Sequence, residues 1–189
     1  MSNYYIEAKS RGDLRAIAYQ IRVAFGLENQ VYFPIVKFME HMMEVVFDNY
    51  EWEIIKDDEL PPHQDAVTEM ENGKGTVKIK ESVYYGACEG NGQHRMTIAH
   101  EIIGHFIPIC VLGFKLYHST GNEKIKQYCD PEWQAKCLAG EFMMPYHLVK
   151  DYTPNQLVKE CGVSKAAAEC QRNVFRKETT NEKEKRRLF

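Results

Sequence analysis

Residues 95–107 read RMTIAHEIIGHFI, and His100, Glu101 and His105 within that run are side chains that can hold a divalent metal and move protons beside it. In the motif H-E-x-x-H, two imidazoles four residues apart on a helix lie about 40° from each other round the axis, so both reach one ion while the glutamate acts as base. Here the spacing is five. On a regular α-helix that turns the rings about 140° apart, too far for shared coordination, so either the pair binds nothing or the helix departs from α geometry. A π-bulge absorbs one extra residue into a turn, restores the facing arrangement and is frequent at functional sites. Gly104 lowers the steric cost of that distortion, and Pro108 has no N–H to give to the carbonyl of residue 104.

Two imidazoles leave a zinc ion short of a third protein ligand and a water. The run DPEWQAKCLAGEFMMP supplies carboxylates. Glu132 sits early on the helix that this run forms and comes first, provided the helix passes antiparallel to the motif helix; Glu141 comes second. His94, Arg95, Tyr146 and His147 flank the two runs as candidates to stabilise an oxyanion, and spacing does not choose among them. His41 reads as a helix-face residue, His63 as part of an acidic loop and His118 as part of a connector, none with a ligand role.

Together the two runs resemble the signature blocks of the ImmA/IrrE family of zinc metallopeptidases, T-x-A-H-E-x-G-H followed by E-x-x-A-N-x-F-A-x-x-L-L-M-P. The stretches EWEIIKDDELP and TVKIKESVYYGA are similar to the strands and loop that precede the motif in that family. The resemblance covers most of residues 10 to 165 and is specific only in the two blocks. It implies a minimal zincin-like domain, zinc held by His100, His105 and Glu132, and Glu101 as general base. It also implies a protein substrate, a helix-turn-helix transcriptional repressor of a mobile element or stress response. The chain departs from the pattern at the residue inserted between Glu101 and His105 and at Lys136, where the family has Asn. The longer spacing H-E-x-x-G-H is similar to the motif of the dipeptidyl peptidase III family.

Several elements must position these residues. Ser10 caps a helix carrying Leu14, Ile17, Ala18 and Ile21, stopped by Gly26, and a second apolar stripe follows Pro34. Residues 48–74 are acidic and rich in Pro and Gly, with one short strand at Glu51–Lys56; Thr76–Tyr85 alternates as a strand. The motif helix begins near Thr97. Asp130 and Pro131 open the next helix, and two short helices follow, one from Thr153-Pro154 to Gly162 and one capped by Ser164. The expectation is an α+β fold in which a helix bundle packs on a small antiparallel sheet from about residues 51–85. Residues 1–150 form the metallopeptidase domain, and 151–189 a small helical extension with a basic tail.

With 189 residues, 44% of them apolar, the chain can bury one core, and a net charge of −3 gives no reason to expect a nucleic-acid or membrane partner. From Gln171 to Phe189 seven basic residues face three Glu, a tail that reads as solvated. The six cysteines contain no C-x-x-C pair, which argues against a thiolate zinc knuckle and a redox motif and reads as ordinary thiols. The opening MSNYYIEAKSRGDLRA has no basic region leading into an apolar one, so a cytoplasmic location is expected.

Two competing readings come from other classes. TPNQLVKECGVSKAAAECQRNVF can be a helix-turn-helix with the Ser164 helix as reader, which makes a DNA-binding regulator, although Ala166, Ala167, Ala168 and Glu169 near its start suit phosphate or base contacts poorly. A catalytically impaired fold that binds a repressor without cutting it is the other.

Overall fold

The computed structural model describes residues 4–119 and 124–187, with the side chains of 180–187 outside that description. The last part of the basic tail, including Lys183, Lys185, Arg186 and Arg187, therefore lies outside the described side chains. In chain order the elements are β1 (Tyr4–Ile6), α1 (Arg11–Ala24), and α2, a continuous helical segment of Ile35–Lys37, π-helical Phe38–Met43 and Glu44–Val46. Then come β2 (Tyr50–Ile55), β3 (Ala66–Glu71), β4 (Lys74–Lys80) and α3 (Glu81–Cys88). The motif helix α4 joins α-helical Gly92–Ala99 to π-helical His100–Val111. After β5 (Leu116–His118) the chain continues through α5 (Pro131–Met143), α6 (Tyr146–Val149), α7 (Pro154–Cys161) and α8 (Lys165–Arg187). The class is α+β, as expected.

The sheet differs from the expectation in pairing. Its order is β2-β4-β3, with β2 parallel and β3 antiparallel to β4, so it is mixed, and β1 and β5 form a separate antiparallel pair. β3 occupies part of the stretch expected to be loop. Asn72 at φ 50° and Gly73 at φ 82° close a two-residue hairpin between β3 and β4, both in the left-handed conformation that a type I′ turn requires. The strand expected to reach Tyr85 ends at Lys80, because Val83 and Ala87 bury at helical spacing from Glu81 onward.

Helix ends follow local chemistry. Ser10 and Asp13 form a reciprocal capping box on α1, Asp130 accepts from the Glu132 amide at the start of α5, and Gly162 ends α7 at φ 65°. The helix after Ser164, expected to be short, runs 23 residues. The turn between α7 and α8 is packed down: Arg95 Nε donates to the Gly162 carbonyl at 2.8 Å, and Gly92 lies so close that a Cβ would meet the Val163 carbonyl carbon at 2.3 Å. Leu157, Cys161, Val163, Ala168 and Phe175 are buried within the same hydrophobic core as the motif helix.

That core is centred on α4 and α5, where Ile102, Ile103, Phe106, Leu138, Ala139 and Phe142 are buried. The two helices approach closely at Gly104, where a Cβ would stand 2.8 Å from the Ala135 Cβ and 2.9 Å from its backbone oxygen. Backbone cannot step aside as a side-chain tip can, so Gly104→Ala is expected to force the helices apart. A loss of about 1–3 kcal/mol in chemical denaturation, the usual range for overpacking, measures this contact. Among the described residues, no helix is long and apolar enough to cross a membrane.

Candidate metal centre

The spacing of five is accommodated, and by more than a single bulged turn: twelve consecutive residues, His100–Val111, are π-helical. The ladder shows the longer register directly, with the Leu112 amide donating to the Ile107 carbonyl at 2.9 Å, five residues back. In that register residues five apart stack as residues four apart do in an α-helix. The two imidazoles accordingly meet, His100 Nε2 lying 3.1 Å from His105 Nε2.

Glu132 completes the triangle from α5. Its Oε2 is 3.3 Å from His100 Nε2 and its Oε1 3.3 Å from His105 Nε2. A tetrahedral zinc ion about 2.0–2.1 Å from each ligand atom separates neighbouring ligand atoms by roughly 3.3 Å. The two imidazole nitrogens stand 3.1 Å apart and each lies 3.3 Å from a different oxygen of the Glu132 carboxylate, separations close to that spacing, and two imidazoles with one carboxylate are a donor set suited to zinc. The residues present therefore fit the ion.

Glu101 sits beside this triangle, with a carboxylate oxygen within 4.8 Å of ligand nitrogens of both histidines. It is buried at 7% exposure, and its Oε2 accepts from the Thr68 hydroxyl at 2.8 Å. Thr68 lies on β3, within the acidic stretch where the sequence predicts no strand after Lys56. Glu141, the second candidate ligand, is elsewhere: its side chain is fully buried and pairs with Arg15 at 2.7 Å and Arg11 at 3.2 Å.

None of the four flanking candidates for oxyanion stabilisation lines the cleft that holds the metal triangle. Arg95 is buried and donates to the Gly162 and Phe33 carbonyls and to the Tyr32 hydroxyl. His147 hydrogen-bonds the Glu28 carbonyl, Tyr146 lies under the Arg15 guanidinium, and the His94 ring packs on Gly86. His63, read as a loop residue without a role, does line the cleft. His118 belongs to β5 and packs against Tyr4, and His41 is exposed on α2.

The cleft encloses about 930 Å³ between β3, α4, α5 and the start of α8. Ala66, Val67 and Thr68 form one wall; Ser164, Ala167 and Gln171 belong to another, so the start of the helix proposed as a DNA reader borders the cleft. All six cysteines are free thiols, and none takes part in the metal triangle.

No family model, curated protein or solved structure matched the chain. The site is therefore read from its own geometry.

Electrostatics makes the triangle sensitive to pH. Hydrogen bonds from His100 and then His105 hold the Glu132 carboxyl far below the usual carboxylate range, against the opposing effect of burial. Burial alone would lower the His105 pKa, but the hydrogen bond to Glu132 and the charges of Glu101 and Glu132 outweigh it and raise the value. Metal and proton compete for the same nitrogen. In the metal-free protein the protonated His105 contributes stability that is complete below the ordinary imidazole pKa and lost as pH rises through the raised one. Across that window the melting temperature of metal-free protein is expected to fall with rising pH. Zinc affinity is expected to rise over the same window, and paired thermal melts with and without zinc check both signs.

Proposed function

We propose that the chain is a zinc-dependent peptidase of the zincin type, with His100, His105 and Glu132 as metal ligands and Glu101 as general base. The observation that carries this reading is the convergence of two imidazole nitrogens, 3.1 Å apart, on the two oxygens of one carboxylate, each 3.3 Å away, next to a buried second carboxylate. Zinc held there supplies a Lewis acid that polarises a carbonyl and acidifies water. Glu101 is placed to accept a proton from the attacking water and return it to the leaving amine. The Thr68 hydroxyl fixes one of its oxygens, which leaves the other for the proton.

An extended peptide suits the cleft. β3 pairs only with β4 among the described residues, so its other edge presents backbone donors and acceptors, and Ala66, Val67 and Thr68 on it line the cleft. A substrate segment added along that edge gains main-chain hydrogen bonds and lies across the metal triangle. The resemblance to the ImmA/IrrE family makes a helix-turn-helix repressor the proposed protein substrate, met in the cytoplasm.

Incubating zinc-loaded protein with a proteome-derived peptide library and with helix-turn-helix repressors, read by mass spectrometry, tests the proposal. Zinc-dependent cuts that disappear in Glu101→Gln support it. Equal cutting by wild type and Glu101→Gln would overturn it, and binding without cutting by both would favour the sequestering reading.

A further inference from the structure

The segment that opens α8 crosses from one helix of the metal centre to the other. It meets α4 at Gly92, where a Cβ would stand 2.6 Å from the Ser164 nitrogen, and α5 at Gly140, where a Cβ would stand 3.1 Å from Gln171 Oε1. From Ser164 to Gln171 the helix rises roughly 10 Å. Between these two contacts the three helices border a hollow that is continuous with the cleft holding the metal triangle.

The side chains that line the hollow are small or apolar. Met96 stands one turn, about 5.4 Å, before His100 on α4. Ala167 stands one turn before Gln171, and its single methyl group leaves the middle of the span open. Ala139, Gly140 and Met144 of α5 line the same part of the cleft. Met96 and Ala167 pack on the core with one side only and keep accessible surface on the other. The polar groups at the margin are already engaged. The Ser164 hydroxyl accepts from the Ala167 amide at 3.2 Å, the Thr97 hydroxyl donates to the Gln93 carbonyl at 3.3 Å, and Gln171 Oε1 accepts from Arg11 Nη1 at 3.4 Å.

We propose that this hollow is a specificity pocket for a bulky apolar side chain of the substrate, of the size of leucine, methionine or phenylalanine. Such a group removes the accessible faces of Met96 and Ala167 from water, and the flexible thioether of Met96 adapts to its shape. A polar side chain of the same size gives up its hydration there and meets margin groups that are already bonded. Met96 is one turn from the metal ligand His100, so the bound side chain belongs to a residue at or beside the scissile bond. This inference names the substrate class of the cleft and rests on the cleft being a peptide-cleavage site.

The test needs neither hydrolysis nor metal. Protein labelled at its methionine methyl groups, zinc-free and zinc-loaded, is titrated with N-acetylleucine amide, its polar isostere N-acetylasparagine amide and N-acetylglutamate α-amide, following the Met96 and Met144 signals. The leucine probe is expected to bind about tenfold more tightly than either polar probe in both metal states, the scale of burying one apolar side chain. Ala167→Leu fills the hollow and is expected to remove the preference with circular dichroism unchanged. Met96→Gln, read on Met144, keeps the volume and is expected to weaken it. Equal or tighter binding of a polar probe, or a leucine preference that survives both substitutions, overturns the pocket. Zinc content of the same samples separates that failure from failure of the metal centre.

Discussion

Glu101→Gln is expected to reduce peptide hydrolysis by about a thousandfold while zinc content stays at the wild-type level, a loss within the range for removing a general base. Glutamine has the size of glutamate, so the 7% exposed pocket beside Thr68 stays filled, and its amide nitrogen or oxygen can keep a hydrogen bond to the Thr68 hydroxyl. What it lacks is the ability to take a proton at neutral pH. The proposed ligands are His100, His105 and Glu132, with Glu101 beside them in the role of base. Turnover measured at saturating substrate, alongside zinc per chain, separates loss of chemistry from loss of metal. A variant that lost its zinc would instead show Glu101 to be a ligand.

The two carboxylates of α5 are expected to behave oppositely. Glu141→Gln removes the charge that faces Arg11 and Arg15 from a fully buried position. Breaking a wholly buried pair costs roughly 3–5 kcal/mol. Both guanidinium groups keep 22% exposure, and Arg15 has Glu178 as a second partner, so the expected loss is smaller, about 2–3 kcal/mol. Zinc per folded chain should not change. Glu132→Gln should do the reverse, losing zinc by a large factor with little cost to the metal-free fold, since that side chain is half exposed. Urea denaturation and metal analysis on the two variants read the contrast.

How far the sequence carried this account depends on the kind of signal. Helix starts and stops were legible because each is a local exchange of hydrogen bonds: Ser10 with Asp13, Asp130 with the Glu132 amide, Gly162 in the left-handed region. The motif residues were legible because their chemistry is unusual on an apolar helix. The need for π geometry followed from the spacing of His100 and His105, but its extent over twelve residues did not, since a spacing of five asks for only one bulged turn. Sheet pairing was the weakest point. Asn72-Gly73 is a strong hairpin signal that was passed over inside an acidic stretch, and with it went β3, Thr68 and the wall of the cleft. The parallel pairing of β2 with β4 is set by long-range topology that no local pattern records.

Arg95 illustrates the converse error. Next to the motif and cationic, it invited a catalytic role, yet its donors are spent on the Gly162 carbonyl of the α7–α8 turn and on the Phe33 carbonyl and Tyr32 hydroxyl ahead of α2. Proximity along the chain did not predict which side of the helix it occupies. Lys136 is exposed and lines the cleft, a position that became apparent only once the surrounding walls were placed.

The π-helical segment brings His100 and His105 together with Glu132, an arrangement proposed to hold one zinc ion. Zinc per chain, measured by elemental analysis on protein purified without chelator and compared with His105→Ala, tests it most directly. The geometry predicts close to one zinc in the wild type and a large loss in the variant, with circular dichroism unchanged. Folded wild-type protein that takes up no zinc on loading, or a His105→Ala variant that keeps its zinc, would contradict it.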